Sequence, residues 1–515
     1  MVSLLTGGAP ESAKSALEQV RRVTAGLPAS EPLEALVEIN FWIESVSNAE
    51  GFRPSDRLAL VSVLDQAAKN PHQQLAQEYV GVQRLQKPQE NRLWNACFGF
   101  TKNLGTAYIR CIEQFQAADP GSESMEKDLP LVAGRALRAL TVQTKWILQR
   151  YELLDERIWR ELAKVYQFAE TRGFAGARAA IYPGRHGESS AQEEFLKAMM
   201  LVVSGPDGLL ADKLHLAERL VAHFGSAFTI RPEPALGCPF FFDLSTHQPP
   251  ARTYKSMARG PMTRFFGPGE AAQALRTFAH EIKERGTIPD DVNLGGDFDN
   301  ETVLSVLAHL EEHWSAVPPA RGAARRPLAT RVTVIPGFPR TLDWLHAVQG
   351  ANAIEYAEPE GAESWIVYDM SDGGYGAIVP NAKTDWLQVG AVLGLRTEAA
   401  PACRVGVVRR ITQDDFGQRR VGIEVLGRFA FPVKVSPAGA GAATGAAPPA
   451  EEAILLSKQP DQNGEIALLL AAGRFMPAQR LQVQVRDKEY LVTPSTLIES
   501  GTEFDWANLK VTKQN

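Results

Sequence analysis

The chain has few cysteines and no long apolar segment, and both absences narrow the class of protein. Only four of its 515 residues are cysteine, and none forms a C-x-x-C pair, so neither a disulfide framework nor a cysteine zinc site is expected. No apolar run approaches the roughly 20 residues of a membrane-spanning helix, and the first residues lack the layout of a signal peptide. The sequence therefore predicts a protein of the reducing cytoplasm without a membrane span.

Positive charge is not in excess either. The chain has 54 Lys and Arg against 60 Asp and Glu, a formal net charge of -6. No global basic field exists to attract nucleic acid or acidic lipid. We therefore expect no nucleic-acid partner, and any anion site must be local.

Sequence motifs of catalysis are also missing. There is no G-x-x-x-x-G-K-[ST] phosphate loop and no G-x-S-x-G nucleophile elbow. The segment from His309 to His313 has the H-x-x-E-H spacing of a zinc hydrolase, but it flanks a buried helical face and no third ligand is identifiable. The sequence thus predicts a non-enzyme with no metal or cofactor, and a metallohydrolase using these histidines is the most distant alternative.

A change of hydrophobic period at Pro318 and Pro319 marks the main boundary in the chain. Before it, apolar residues recur at steps of three and four, which predicts a large all-α region over 1–316, with an irregular or β insert near 227–267. Within this region, 129–172 is predicted to form two helices broken near 152–155. After the boundary, short Val- and Ile-rich segments between turn residues predict strands.

The strand-like part divides into two β units. Six strands within 331–435 and one helix over 342–352 predict a closed antiparallel barrel occupying 317–437. The uncharged run 438–450 (AGAGAATGAAPPA) predicts a flexible linker, and 451–515 predicts a second small β domain. The two β units could be distant structural relatives. The fold class is therefore a multidomain α + β chain.

Two motifs bracket the first strands of the barrel. Four arginines occur within eleven residues, directly before and into the first strand: Arg321, Arg325, Arg326 and Arg331. Guanidinium groups make bidentate contacts with phosphate and stack on planar rings, so this run suits a ligand with phosphates and bases, although solvated basic linkers are also common.

The second motif is a turn that runs from Asp369 through Ser371, Gly373 and Gly374. Asp369 and Ser371 alternate onto one face at strand spacing, and the glycines permit positive backbone angles and close approach of a ligand. A carboxylate there can accept hydrogen bonds from a guanine edge or hold an arginine in place. A plain Asx-type turn in a hairpin is the alternative interpretation.

Taken together, the arginine run, the Asp-x-Ser-x-x-Gly turn and the strands from Val405 to Val425 resemble the PilZ domain, the bacterial receptor for cyclic di-GMP. The resemblance covers about 321–435. The turn matches fully, whereas four residues separate Arg326 from Arg331 and the family has three; Arg321 and Arg325 have the family gap but lie further from the strand.

The resemblance implies a cyclic di-GMP effector. It places Arg325, Arg326 and Arg331 on phosphates and guanine, and the turn residues Asp369, Ser371, Gly373 and Gly374 on a guanine, with Arg321 and Arg410 as weaker candidates. The helical region would then relay the signal to an unidentified protein partner. The competing hypothesis is a scaffold or adaptor whose degenerate barrel binds no ligand.

Overall fold

The fold was analysed in a computed structural model. It describes residues 13–81, 86–183, 187–254, 260–289, 292–317, 324–350, 361–380, 386–397, 400–414, 416–427, 429–438, 450–457, 459–477, 479–486 and 488–514. The chain divides into two compact units, Met1–Ala320 and Arg321–Asn515.

Helices dominate the first unit, and the described residues of the second contain one α-helix. They are α1 (Ala13–Ala25), α2 (Pro32–Asn48), α3 (Pro54–Gly81), α4 (Lys87–Gln116), α5 (Leu129–Leu148), α6 (Glu156–Thr171), α7 (Ala191–Val203), α8 (Ala211–His223), α9 (Ala271–Arg285), α10 (Asn300–Trp314) and, in the second unit, α11 (Phe338–Gly350). Among the described residues, no helix has both the length and the apolar character that crossing a bilayer requires.

Local capping sets several of the helix boundaries. The Asp155 side chain accepts a hydrogen bond from the Ile158 amide (3.0 Å) and so begins α6, which confirms the predicted break between two helices in 129–172. Asp299 caps α10 in the same way through the Thr302 amide (2.7 Å). The apolar faces of α1 to α10 meet in one continuous core, so tertiary packing holds the helices together.

Small sheets interrupt the predicted all-α region. Its strands are β1 (Ala179–Ala180), β2 (Glu188–Ser189), β3 (Thr229–Arg231), β4 (Phe240–Asp243), β5 (Ala251–Arg252) and β6 (Thr263–Gly267). The last four form one antiparallel sheet in the order β3-β6-β4-β5, within the stretch for which an irregular or β insert is predicted. Phe240, Phe242 and Phe266 are buried from this sheet into the helical core.

Two closed six-stranded barrels make up the second unit. The strands are β7 (Arg326–Pro336), β8 (Glu363–Ser371), β9 (Gly374–Val379), β10 (Val392–Thr397), β11 (Ala400–Gln413), β12 (Arg419–Gly427), β13 (Phe431–Pro437), β14 (Glu451–Leu455), β15 (Glu465–Ala471), β16 (Leu481–Val485), β17 (Lys488–Ser500) and β18 (Phe504–Gln514). The first barrel is β10-β11-β12-β9-β8-β7 and the second is β13-β14-β15-β18-β17-β16, with antiparallel pairing throughout. The predicted antiparallel barrel and C-terminal β unit are confirmed.

One strand assignment was wrong. The predicted first barrel includes 431–435, but β13 pairs with β14 and β16 in the second barrel, and the place it leaves is filled by β10, which the prediction missed. Residues 392–395 are all buried, so β10 lacks the apolar–polar alternation that marks a half-exposed strand. The predicted linker 438–450 falls between β13 and β14, and 439–449 lie outside the described residues.

The two barrels share a hydrophobic core. Phe338, Leu342 and Leu345 of α11 cluster with buried residues of the first barrel and with Ile454, Leu469 and Phe504 of the second, and Phe504 is fully buried. Because each barrel covers apolar surface of the other, we expect the pair to fold together.

Candidate ligand-binding face of the first barrel

A β-bulge sets the direction of the Asp-x-Ser-x-x-Gly turn. Val367 pairs with Ala377, but the next paired residue of β8 is Asp369, opposite Gly376, so Tyr368 is the extra residue. Val367 is fully buried inside the barrel, and the bulge moves Asp369 and, two residues on, Ser371 to the outer face. The two side chains share one face, as the spacing predicts.

A row of glycines lies across this face. Asp369 pairs with Gly376, Gly376 with Gly422, and Gly422 with Arg410, so Asp369 and Arg410 stand at opposite ends of one row with two glycines between them. We call this row the glycine floor. A Cβ at Gly376 would lie 2.3 Å from Asp369 Oδ1 and 2.8 Å from Tyr368 Cζ, so these two side chains already reach over the floor.

The two glycines of the turn do not adopt the positive backbone angles that the sequence suggested. Neither Gly373 nor Gly374 has a φ in the left-handed region. Gly374 is required because a Cβ there would lie 2.1 Å from the carbonyl oxygen of Ile423, whereas a Cβ at Gly373 would meet nothing within 4 Å. Gly374 therefore permits the close approach of β12, and not a left-handed turn.

Arg325 is the arginine that reaches the turn. Its Nη1 donates to both carboxylate oxygens of Asp369, at 2.9 Å and 3.1 Å. The side chains of Arg325 and Asp369 are 43% and 21% exposed, so the ion pair contributes only about 0–1 kcal/mol. The carboxylate therefore holds an arginine that an incoming anion could take over at low cost.

The other arginines of the run are placed differently. Arg326 pairs with Met370 and Arg331 with Ile366, and both arginines are exposed. Arg331 lies in the neighbouring row of outward-facing residues, opposite Ile366. Arg326 lies opposite Met370, so it is one residue away from the position opposite Asp369. Arg321 lies outside the described residues.

Two residues of this face were not identified from the sequence. The ring of Tyr368 is half-buried beside the floor, and the guanidinium carbon of Arg420 lies 5.5 Å from its centroid. An Nη2 to Oδ2 contact of 3.3 Å pairs Arg420 with Asp414. The available signal was the pair of strand glycines Gly376 and Gly422, because glycine inside a strand often marks a place that a side chain, a ligand or another backbone approaches closely.

An ion-pair chain runs from this face to the second barrel. Arg409, a bulge residue of β11, donates from Nε to Glu424 (2.6 Å) and from Nη1 and Nη2 to Glu499 of β17 (2.6 Å each). Glu424 itself pairs with Gly374 at the end of the turn. The contacts of Glu499 and Glu424 outweigh the opposing effect of burial and raise the pKa of Arg409.

The histidines of the H-x-x-E-H segment have structural partners. His309 Nε2 donates to the carbonyl oxygens of Ser204 (2.8 Å) and Gly205 (3.2 Å) at the C-terminal end of α7, and His313 Nδ1 donates to the His309 carbonyl (2.9 Å). The described part of the chain contains no cluster of three or more His, Cys, Asp or Glu side chains able to hold a metal ion. The geometry gives the metallohydrolase hypothesis no support.

Comparison with known proteins matches two family models. Residues 18–234 match the N-terminal domain of the cyclic-di-GMP receptor FimW, and residues 349–432 match the middle PilZ domain of the same receptor. The second match contains the Asp369 turn, the glycine floor and Arg410, and begins after the arginine run. No curated protein matches the chain.

The first barrel is thus a PilZ domain, and the chain is a PilZ-domain protein. The two matches come from one receptor and together cover more than half of the residues. The chain belongs to the FimW family of cyclic-di-GMP receptors.

Proposed function

We propose that this chain binds cyclic di-GMP on the outer face of the first barrel and relays the binding through its helical region. The observation that carries the proposal is the glycine floor, which has a carboxylate at one end, Asp369, and a guanidinium at the other, Arg410. A surface formed by glycine backbone, with the side chains of Asp369 and Tyr368 reaching over one end and opposite charges at its two ends, suits a ligand that has both planar bases and phosphates.

Each end of the floor has chemistry for one part of the ligand. A guanine edge carries adjacent N–H donors, which a carboxylate such as Asp369 accepts, with the Ser371 hydroxyl beside it. Phosphate oxygens accept from arginine, and Arg325, Arg326 and Arg331 approach from the β7 side, with Arg410 on the far side. Tyr368 offers a ring on which a base can stack.

Ligand binding would replace the contact between Arg325 and Asp369 with contacts from both residues to the ligand. In the structure, Arg325 is held by Asp369 in an exposed ion pair worth about 0–1 kcal/mol. Hydrogen bonds to charged groups contribute about 1.5–3 kcal/mol each, so ligand contacts at both residues outweigh the pair that they replace. Arg325 is therefore expected to turn from Asp369 to a phosphate.

The relay is proposed from the order of domains. The arginine run directly follows the helical unit in sequence, so ordering these arginines on a ligand acts on the segment that joins the units. The family model for 18–234 supports a dedicated N-terminal domain, which we propose docks a protein partner.

Calorimetric titration of the full chain with cyclic di-GMP tests the binding. Asp369→Ala should raise the dissociation constant about 100-fold, and Arg325→Ala about 10-fold, from the loss of charge-assisted hydrogen bonds. Two matched controls should leave the dissociation constant unchanged: Asp372→Asn, in the same turn, and Arg480→Ala, at an exposed arginine of the second unit.

A folded wild-type chain that gives no heat with cyclic di-GMP would remove the receptor proposal. The scaffold or adaptor hypothesis, in which the barrel has lost its ligand, would then stand. Equal affinity in Asp369→Ala and Asp372→Asn would show that the ligand binds elsewhere.

A further inference from the structure

The helical unit contains a cavity of about 390 Å³ between α3, α4, α5 and α8. This volume lies within the range of small-molecule sites, about 300–1,000 Å³. Its lining includes the apolar side chains Ala76, Phe100, Leu104, Ala139 and Val142. The same lining also includes charged side chains, so the cavity combines apolar and charged surface.

A buried charged group forms part of the cavity lining. Lys145 Nζ lies 3.3 Å from Glu218 Oε2 and donates to His215 Nδ1 at 3.0 Å, and the three residues are 5–6% exposed. Burial, with the adjacent Lys145, lowers the pKa of His215 to about 3, so this histidine is neutral at pH 7. The charges of Lys145 and Glu218 offset each other within the wall.

His72 adds an unsatisfied polar atom to the lining. Its Nε2 is closed to solvent and has no hydrogen-bond partner among the described residues. The ring packs against Phe100 (5.4 Å between centroids) and Trp146 (6.2 Å). Buried polar atoms are rarely left unpaired, and a neutral imidazole nitrogen can donate or accept, so a bound polar group would complete this site.

Among the described residues, the lining charges without a partner of opposite sign are positive. The Asp65 carboxylate also lines the cavity, but it lies 3.7 Å from Arg135 Nη1 and is balanced by it. Arg138 is balanced by Glu194, to which its Nη2 donates at 2.8 Å. Lys69 and Arg219 also line the cavity, and within the described part of the chain neither forms an ion pair with a carboxylate. Two side chains with unbalanced positive charge beside an apolar pocket favour an anion whose body is apolar.

We propose that this cavity is a second ligand site, separate from the barrel face, that binds a small organic anion with an apolar, ring-sized body. The apolar wall takes the body, Lys69 and Arg219 take the anionic group, and His72 takes a polar group of the ligand. The site does not depend on cyclic di-GMP binding to the barrel.

Two fluorescent probes test the proposal on the full chain: anilinonaphthalene sulfonate, which has an anionic group, and phenyl naphthylamine, which is neutral. One sulfonate probe should bind per chain, and excess cyclic di-GMP should not displace it. Lys69→Met with Arg219→Met should weaken the sulfonate probe about tenfold or more and the neutral probe less than about twofold. Lys127→Met with Arg285→Met, an equal change of charge elsewhere on the helical unit, should alter neither.

A cavity-filling variant provides a second test. Val142→Phe, at a partly buried lining position, should abolish binding of both probes while thermal melting shows a folded chain. If Val142→Phe does not fold, the variant Lys69→Met with Arg219→Met decides, because Lys69 is exposed and Arg219 is half-buried. The proposal is overturned if the probes do not bind, if they still bind to folded Val142→Phe, or if cyclic di-GMP displaces the sulfonate probe. It is also overturned if Lys69→Met with Arg219→Met binds the probes as its control does.

Discussion

The two barrels of the second unit have the same circular strand order and different surfaces. Numbered within each barrel, the strands follow one ring, 1-2-3-6-5-4, in both. In the first barrel, strands 3 and 6 carry Gly374, Gly376 and Gly422; the corresponding strands β15 and β18 contain no glycine. The common topology supports the prediction that the two β units are structural relatives.

The acidic residue of the corresponding hairpin shows the difference most clearly. Between β14 and β15, Asp461 Oδ1 accepts from the amides of Asn463 and Glu465 (2.8 Å each), so the carboxylate stabilises its own turn. Asp369 instead lies on the strand face and pairs with Arg325. Topology alone therefore does not define the candidate site, which is distinguished by the side chains of the first barrel.

Separating the barrels should have the largest effect. A fragment of residues 317–437 would remove Ile454, Leu469 and Phe504 from the shared core and strand β13 from its partners. Loss of several fully buried apolar side chains costs about 2–5 kcal/mol each, which approaches or exceeds the stability of a small domain. We expect an aggregated or unfolded product by circular dichroism, whereas 324–514 should fold; an independently folded 317–437 would contradict the shared core.

A side chain added to the glycine floor should lower the affinity for the ligand more than it lowers the stability of the fold. In Gly376→Val, the new side chain meets the outer ends of Asp369 and Tyr368, which can turn away at the cost of the binding geometry. We expect the affinity for cyclic di-GMP to fall about 100-fold, with melting changed by only a few degrees. Unchanged affinity would exclude the floor as the binding surface.

The two glycines of the turn should differ in stability. Gly374→Ala places a Cβ against the Ile423 carbonyl oxygen and should lower the free energy of unfolding by about 1–3 kcal/mol. Gly373→Ala meets nothing and should stay within about 0.5 kcal/mol of the wild type. Urea denaturation of both variants measures the difference, and equal values would contradict the described close approach of β12.

The smallest predicted change concerns the ion pairs between the barrels. Arg409→Met removes the contacts to Glu424 and Glu499. Because the side chains of both glutamates are partly exposed, we expect the free energy of unfolding to fall by about 1 kcal/mol. Arg480→Met is the matched control in denaturant titrations. A loss equal to that of the control would show that Arg409 does not couple the barrels.

The sequence predicted those features that depend on local patterns. The break before α6 follows from the Asp155 cap, and the common face of Asp369 and Ser371 follows from strand spacing. The exchange of β13 for β10 could not be predicted, because alternation identifies a strand and not its partner sheet. The sequence makes Arg410 a weaker candidate, because only the register across β12 and β9 brings it into the Asp369 row.

Hydrogen exchange of the full chain, with and without cyclic di-GMP, tests the central claim most directly because it locates the ligand. We predict slower exchange in 324–331, 368–376 and 409–422 and no change in the second barrel from 450 to 514. Slower exchange confined to the second barrel or to the cavity between α3, α4, α5 and α8, or no change at saturating ligand, would contradict the proposal that the glycine floor is the receptor surface.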